Sequence, residues 1–557
     1  MSEAYSYEKD PQAAFNGTPA LSKEEHTSSQ QGYTSLSAQR RAALEEIDNA
    51  SFNRFHVKAC AVAGVGFFTD AYDIFAISMA ATMIGYVYGH GGKNTNNQDL
   101  GIKVSHSVGT FCGQLLFGYL ADVVGRKRMY GLELIIIIIG TLGQAVAGRG
   151  PGVNIYGVLI MWRFVMGLGI GGDYPLSAVI TSEFASKRIR GRMMTAVFAS
   201  QGWGNLAAAI VAICVVVGFK DQIQHDDATY KHVDYCWRIL IGMGCVPGAI
   251  ALYFRLTIPE TPRYTMDIER NVKQASQDVD TYLTTGTFVV DEDAPVQRAE
   301  APKASGRDFW RRYGQWKHGK VLFGCAWSWF ALDIAFYGLG LNSSIVLTKI
   351  GFGSASTGTA AEKVYTNLHN VAVGNMILSA AGLIPGYWCT FLLIDKVGRK
   401  PIQLMGFVVL TGIFCALGFG YKKLTASDSG RAGFVALYCL ANFFQNFGPN
   451  TTTFVIPGEI APTRYRSTFH GISAASGKLG AIVAQVGFAK MIDIGGKTGS
   501  KAFLPHILEI FAFFMATGVF STLLIPETNQ LSLEDLSGED QDNFIQERPN
   551  DKAASHA

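Results

Sequence analysis

Trp329, Asp333 and Tyr337 recur at intervals of four within the apolar stretch 319–346. That spacing sets an indole N–H, a carboxylate and a phenol hydroxyl on one face of a helix, about a turn apart. Such a stripe makes a polar pocket. The plainer alternative, an aromatic belt at a membrane interface, belongs at helix ends, and this trio lies mid-helix. Other ionisable residues are similarly deep in apolar stretches. Asp70 comes about 13 residues into the first stretch, roughly 20 Å along a helix, and Asp173 and Lys478 are comparable; Asp73, Glu133 and Arg163 also fall within apolar stretches. A charge within a bilayer costs several kcal/mol unless paired or hydrated. The set therefore reads either as ion pairs holding helices together or, taken as a whole, as a path for ions and substrate.

The elements that must position these groups are membrane helices. Of 557 residues, 48% are hydrophobic and only 16% charged, against about 25% in soluble proteins, and the mean hydropathy is positive. Residues 129–147 hold a single charged side chain, Glu133, and 502–525 hold only His506 and Glu509 among ionisable groups; about 18 such residues suffice to cross the hydrocarbon layer. Twelve helices are expected, near 57–88, 102–122, 129–148, 155–184, 193–218, 237–258, 319–346, 369–394, 402–421, 431–460, 469–493 and 503–525. The fold class is all-α membrane protein, with six-helix halves at 55–258 and 319–525. Residues 1–54 read as a disordered polar tail, 259–318 as a central linker and 526–557 as an acidic tail. No cleavable signal is visible, so the first span is expected to act as its own insertion signal.

A formal net charge of +3 gives no reason to expect a nucleic-acid partner. The nine cysteines show no paired spacing and read as small buried hydrophobes. No metal or cofactor is expected, and no nucleophile arrangement or phosphate loop points to an enzyme; GIGGDY (169–174) lacks the preceding strand a nucleotide fingerprint needs.

The halves repeat. ADVVGRKR (121–128) returns as IDKVGRKP (394–401), Glu183 with Arg188 and Arg190 returns as Glu459 with Arg464 and Arg466, and Pro259-Glu260-Thr261 returns as Pro526-Glu527-Thr528. A duplicated six-helix unit is a transporter architecture with its site between the halves. The basic loops after helices 2, 4, 8 and 10 fall on one face with both termini and the linker, and the positive-inside rule makes that face cytoplasmic. Asp122 with Arg126, Glu183 with Arg190, Asp395 with Arg399 and Glu459 with Arg466 are expected to form ion-pair latches there; topology alone explains Lys127 and Lys396.

The D-x-V-G-R-K, E…R-x-R and PETPR motifs resemble the major facilitator superfamily in its sugar-porter-like branch. GFFTDAYDIFAI (66–77), GIGGDYPLSAVITSEFA (169–185), and FFQNFGPNTTTFVIPGE through HGISAASGK (443–478) are similar to the fungal high-affinity phosphate:proton symporters and their plant relatives, a likeness running from about residue 55 to 536. It implies inorganic phosphate and protons as partners, alternating access, and plasma-membrane residence. Carried over position by position, it implies a phosphate site of Tyr174, Gln201, Trp329, Asp333, Tyr337 and Asn446. Lys478, in the SGK motif, is the cation expected near it; snorkelling is disfavoured by about nine residues to the helix start, some 13 Å.

A carboxylate in an anion site discriminates among cargoes. Dihydrogen phosphate keeps P–OH donors, which an ionised Asp333 accepts in a charge-assisted hydrogen bond; sulfate has none at neutral pH. Sugars also offer hydroxyls, so this step leaves them open. For protons the resemblance implies carboxylates of the first half, Asp70 and Asp173 first and then Asp73, since burial brings a carboxyl into the physiological range. Arg163 is expected to hold one of them ionised, with Glu133 as a competing partner. The alternatives are a hexose:proton symporter, against which stand WFALDIAFYGLG in helix 7 and Asn529-Gln530 after the second PET, and a phosphate-sensing receptor acting through its tails.

Overall fold

A computed structural model of the chain describes residues 36–90, 92–227, 229–256, 261–267, 305–350, 358–497 and 499–539. Among these, extended pairing is confined to two isolated bridges, His90 with Lys93 and Gly150 with Val153; helices carry the rest. Eleven are long and apolar enough to cross a membrane. The first six are His56–Tyr88, Asn96–Val124, Arg126–Ala145, Ile155–Phe184, Arg190–Gly218 and Lys231–Arg255. Trp316–Gly340, Ala360–Val397 and Arg399–Phe419 are the seventh to ninth, Thr463–Met491 and Leu504–Leu523 the eleventh and twelfth. The tenth crossing is made by two shorter helices, Asp428–Asn446 and Pro449–Ile460. A single helix over 431–460 is what hydropathy suggests; instead the ladder stops at Phe447 and Gly448, because Gly448 runs extended and Pro449 has no N–H to donate.

Two further elements depart from the sequence reading. Leu36–Asn49, inside the stretch read as a tail, is a helix. Its Ala43, Leu44 and Ile47 are buried, and Asp48 is held by Arg263 at 2.8 Å and Arg190 at 3.6 Å. The stretch read as a linker contributes helices at Pro262–Asp267 and Gly306–Tyr313, and the seventh span begins inside it at Trp316; residues 268–304 lie outside the described chain.

Small residues let the helices meet backbone to backbone. A Cβ on Gly109 or Gly113 of the second span would lie 2.2 Å from the carbonyl oxygen of Phe164 or Leu168 in the fourth. The second half repeats the contact: Gly382 and Gly386 of the eighth span face the carbonyls of Cys439 and Phe443 in the tenth at 2.7 and 2.3 Å. Between the halves, Gly471 of the eleventh span meets Gln114 and Gly118 of the second, and Gly202 of the fifth meets Tyr387 of the eighth. In both repeated basic loops the chain turns through a glycine with positive φ, Gly125 at 118° and Gly398 at 101°, where a side chain would be strained.

The seam between the halves thus depends on close backbone approach. Gly471→Val puts a side chain where a Cβ already lies 2.4 Å from the Gln114 carbonyl oxygen. Overpacking of this kind costs about 1–3 kcal/mol, so thermal unfolding in detergent should begin several degrees lower. Gly412→Val, at an exposed position with nothing within 4 Å, should leave the midpoint unchanged.

Candidate functional site

One buried charge centre and a latch zone lie at the seam, and a second buried charge centre lies within the first half. The first centre joins the seventh and eleventh spans. Lys478 Nζ is 2.8 Å from Asp333 Oδ2 and donates to the Tyr337 hydroxyl at 3.0 Å. Lys478 and Asp333 are each only 1% exposed, so the pair is shielded from water and each charge depends on the other. The ammonium also lies over the rings of Tyr337 and Tyr174, at 4.2 and 5.0 Å, a placement that aromatic quadrupoles favour. Gly477 permits this approach: a Cβ there would sit 2.5 Å from the Trp329 ring and 2.9 Å from Asp333 Oδ2.

From the first half, the Tyr174 hydroxyl accepts a hydrogen bond from Gln201 Nε2 at 3.3 Å, and its ring is 6.4 Å from that of Trp329. Asn446 ends the first piece of the tenth crossing. Its Oδ1 accepts from Asn450 Nδ2 at 2.7 Å, and Asn450 also donates to the Tyr387 hydroxyl at 3.0 Å. The break at Gly448 therefore turns two asparagines toward the ring that lies beside Gly202, next to Gln201. Tyr174, Gln201, Trp329, Asp333, Tyr337 and Lys478 lie together, and Asn446 is linked to Tyr387 through Asn450. Asn450 and Tyr387 were missed. The N-F-G-P-N run was the available signal, since a helix restarted at Pro449 exposes its own first turn.

The second centre lies in the first half, and its organiser was also missed. Arg255, in the last turn of the sixth span, reaches Glu133 Oε1 at 2.6 Å and Asp173 Oδ2 at 2.7 Å, with its guanidinium 4.4 Å from the centre of the Tyr130 ring. Gly66 of the first span leaves the channel it crosses, for a Cβ there would be 1.5 Å from Arg255 Nη2. An arginine so near a helix end reads as a snorkelling residue, which is why sequence gave it no role. The expected cation, Arg163, forms no hydrogen bond or ion pair with Glu133, Asp70 or Asp173; of the expected carboxylates, its charge acts on Asp73. It donates to the Ile102 carbonyl at 2.6 Å and to Gln144 Oε1 at 3.2 Å, because its helix position faces the second and third spans. Asp73 accepts from Thr141 at 2.6 Å. Asp70, one turn beyond Gly66, is fully buried, and neither carboxyl oxygen has a hydrogen-bond partner.

The latch zone, at the end carrying the basic loops, also pairs differently than expected. Glu183 is not joined to Arg190, nor Glu459 to Arg466. Glu183 Oε1 instead meets Arg466 of the other half at 2.7 Å and Arg126 at 3.2 Å. Glu459 meets Arg399 at 2.8 Å. Arg190 donates to the Leu531 carbonyl at 3.0 Å. The threonines of the repeated PET motifs complete the pattern: Thr261 donates to Glu183 and Thr528 to Glu459, both at 2.5 Å. Asp122 and Asp395 lie within ion-pair range of Arg126 and Arg399, at 3.5 and 3.0 Å, and each also caps a helix across the seam. Asp122 accepts from the amides of Ser467 and Thr468 at 3.2 and 2.7 Å, and Asp395 from those of Gly191 and Arg192 at 3.1 and 2.9 Å. A carboxylate on the first-turn amides of a helix gains from their orphaned N–H groups and the helix dipole. Below them, Glu534 holds Arg263 at 2.9 Å. Burial pushes the Glu534 carboxyl up, but Arg263 outweighs it and holds the carboxyl down at about 2.

The opposite end of the seam is closed as well. Ser344 donates to the Ser78 carbonyl at 2.9 Å, Asn367 to the Tyr86 hydroxyl at 2.9 Å, and Phe75 stacks against Tyr337 with ring centres 6.1 Å apart. The charge centres thus lie between two sets of inter-half contacts, the arrangement alternating access requires.

The sequence profile of the sugar (and other) transporter family matches residues 59–539. The chain belongs to that family. It is 49% identical over 524 residues to an inorganic phosphate transporter of Saccharomyces cerevisiae, covering 89% of this chain and 87% of that one. It is 50% identical over 518 residues to a repressible high-affinity phosphate permease of Neurospora crassa, covering 90% and 89%. A low affinity inorganic phosphate transporter of Petunia hybrida is 40% identical over 522 residues, covering 89% and 95%. Among solved structures, the proton:xylose symporter XylE bound to 6-bromo-6-deoxy-D-glucose superimposes with a TM-score of 0.65 at 19% identity, over 87% of this chain and 98% of that one. This likeness establishes the major facilitator fold.

Arg255 offers a direct check on the second centre. Arg255→Met leaves Glu133 and Asp173 buried without a cation, a loss of about 3–5 kcal/mol, and should sharply lower the folded yield in detergent. Adding Glu133→Gln and Asp173→Asn should recover much of that yield. No recovery in the triple variant would mean that the arginine acts through its bulk.

Proposed function

We propose that this protein imports inorganic phosphate, as dihydrogen phosphate, together with protons by alternating access of its two halves. The observation that carries the cargo is the Asp333–Lys478–Tyr337 cluster between Trp329 and Tyr174, in a chain half identical to proteins named phosphate transporter and phosphate permease. Lys478 is a compact ammonium that meets the anion's charge. Asp333 accepts a P–OH, while the amides of Gln201 and Asn446 and the hydroxyls of Tyr174 and Tyr337 serve the remaining oxygens. Sulfate, lacking the donor, would leave Asp333 opposed to a dianion and short of a partner, which costs on the order of 1–3 kcal/mol for the lost hydrogen bond alone. In this scheme the anion inserts into the Asp333–Lys478 pair and exchanges one buried electrostatic partner for another.

Proton coupling falls to the second centre. Glu133 and Asp173 already outnumber the one positive charge of Arg255. An ionised Asp70 beside them, dry and unpartnered, would add several kcal/mol of uncompensated charge, and taking up a proton removes that cost. Asp70 therefore carries the proton while both ends are closed and releases it when water enters from the latch end. Asp173 and Tyr174 are consecutive residues, one on Arg255 and the other beside Lys478, so a shift of the fourth span is felt in both centres. Asp73, held by Thr141, is assigned a supporting role.

The latch zone supplies the gate. Asp122, Arg126, Glu183, Arg190, Asp395, Arg399, Glu459 and Arg466 fasten the halves at the end of the basic loops, and their separation opens the site on that side. By the positive-inside rule that side is the cytoplasm, where both termini lie; the resemblance to the phosphate symporters supports residence in the plasma membrane. A hexose cargo would rest on likeness of fold to XylE at 19% identity.

In liposomes given an inward proton gradient, the protein should accumulate labelled phosphate in preference to sulfate or glucose; accumulation of glucose instead would end this reading. Asp333→Asn should reduce phosphate accumulation at least a hundredfold while the protein stays folded, and near-normal uptake would remove Asp333 from the site. Asp70→Asn should lose proton-driven accumulation but keep part of phosphate counterflow. Equal loss of both would make Asp70 a packing residue.

A further inference from the structure

A second polar site lies at the end of the seam opposite the basic loops. Its cavity, of about 50 Å³, is lined by residues of both halves, among them Asn96, Asp99, Asn342, Gln485, Asp493 and Lys501, and exceeds the space one water needs. Lys103 stands behind two of these lining residues, Asp99 and Asn342. The side chain is only 2% exposed; Nζ is 2.6 Å from Asp99 and donates across the seam to Asn342 Oδ1 at 3.1 Å. Asn342 Nδ2 donates to Gln485 Oε1 at 3.1 Å, and Gln485 Nε2 donates to the Tyr337 carbonyl at 2.7 Å. A continuous chain of hydrogen bonds thus runs from Lys103 to the residue whose hydroxyl receives Lys478. Gln485 stands seven residues, two turns or roughly 10 Å, from Lys478 on one helix.

Lys501 and two carboxylates, Asp99 and Asp493, line the cavity, and further lysines stand around it. Lys349 donates to the Ser500 carbonyl at 2.6 Å and Lys490 to Asn97 at 3.0 Å. Among the described residues, Lys93, Lys349, Lys490 and Lys501 have no carboxylate at ion-pair distance. Of the two lining carboxylates, Asp99 is taken by Lys103, and Asp493 is saturated by the amides of Gly499 and Lys501 and by Asn96. Burial, reinforced by the ammoniums of Lys103, Lys93 and Lys349 and opposed by Asp99, brings the Lys501 amine down to about 8. Topology does not explain such a group, because lysine is sparse in loops on the side that basic loops avoid. A basic recess between low-dielectric walls concentrates anions.

We propose that this recess recruits the anion before it reaches Asp333 and Lys478, and that Lys103 is the latch between the two sites. The ligand class is a small oxyanion that keeps hydroxyl hydrogens; the assignment rests on the phosphate reading above. The anion meets Lys501 and the amides of Asn96, Asn342 and Gln485, draws Lys103 from Asn342, and so frees Gln485 from the Tyr337 backbone, which opens the way inward.

Labelled phosphate uptake into proteoliposomes, measured against phosphate concentration at several ionic strengths, tests the proposal. The wild type should show a KM that rises with salt. K349Q/K490Q/K501Q should raise KM about tenfold at low salt, keep the maximal rate within about twofold, and flatten the salt dependence. K103Q should raise KM and slow uptake, and K103R should restore both. An unchanged KM and salt slope in the triple variant, or K103Q indistinguishable from K103R, overturns the recess and its latch while transport itself stands. A wild type that accumulates no phosphate overturns the transport reading, and the recess with it.

Discussion

A charge buried in a bilayer protein must have a partner or give up its proton, and most of this architecture follows from how each charge meets that demand. Asp333 leans on Lys478, while Glu133 and Asp173 lean on Arg255. These pairs carry little net stability, because desolvation offsets most of the attraction. What they supply is a defined response: when a substrate or proton alters one partner's charge, the other must find a new position.

That logic links the two centres. Asp173 and Tyr174 are neighbours in one helix and serve different pairs. Phe67 of the first span packs edge-on against Tyr174 with ring centres 5.1 Å apart, three residues from Asp70. A fourth span that moves at either pair therefore disturbs the other. The glycines that bring the second, fourth, eighth and tenth spans to backbone contact make those helices rigid neighbours, so the disturbance is passed on as a shift of whole elements.

At the latch end the same demand is met by exchange between the halves. Glu183 takes Arg466, and the carboxylates of Asp122 and Asp395 sit on the first turns of helices in the opposite half. Partners shared across the seam hold only while the seam is shut. Glu459 stays with Arg399 of its own half; had Glu183 likewise kept only Arg126, that charge would have been neutralised without tying it to the state of the halves.

Sequence alone determined the spans, the duplication, the depth of each charged residue and the face shared by Trp329, Asp333 and Tyr337. These depend on composition and on the 3.6-residue period, both of which are local. Tertiary structure decided the partners. It gave Glu133 and Asp173 to Arg255 and left Arg163 on Ile102 and Gln144; it joined Glu183 to Arg466 of the other half and Glu459 to Arg399 of its own; it broke the tenth span at Gly448 and so brought Asn450 to Tyr387; and it set Lys103 against Asn342. A periodicity tells which way a side chain points on its own helix. Which charge stands opposite is fixed by the crossing of a second helix, often more than a hundred residues away in the chain, and the energetic demand for a partner is the same whichever residue supplies it.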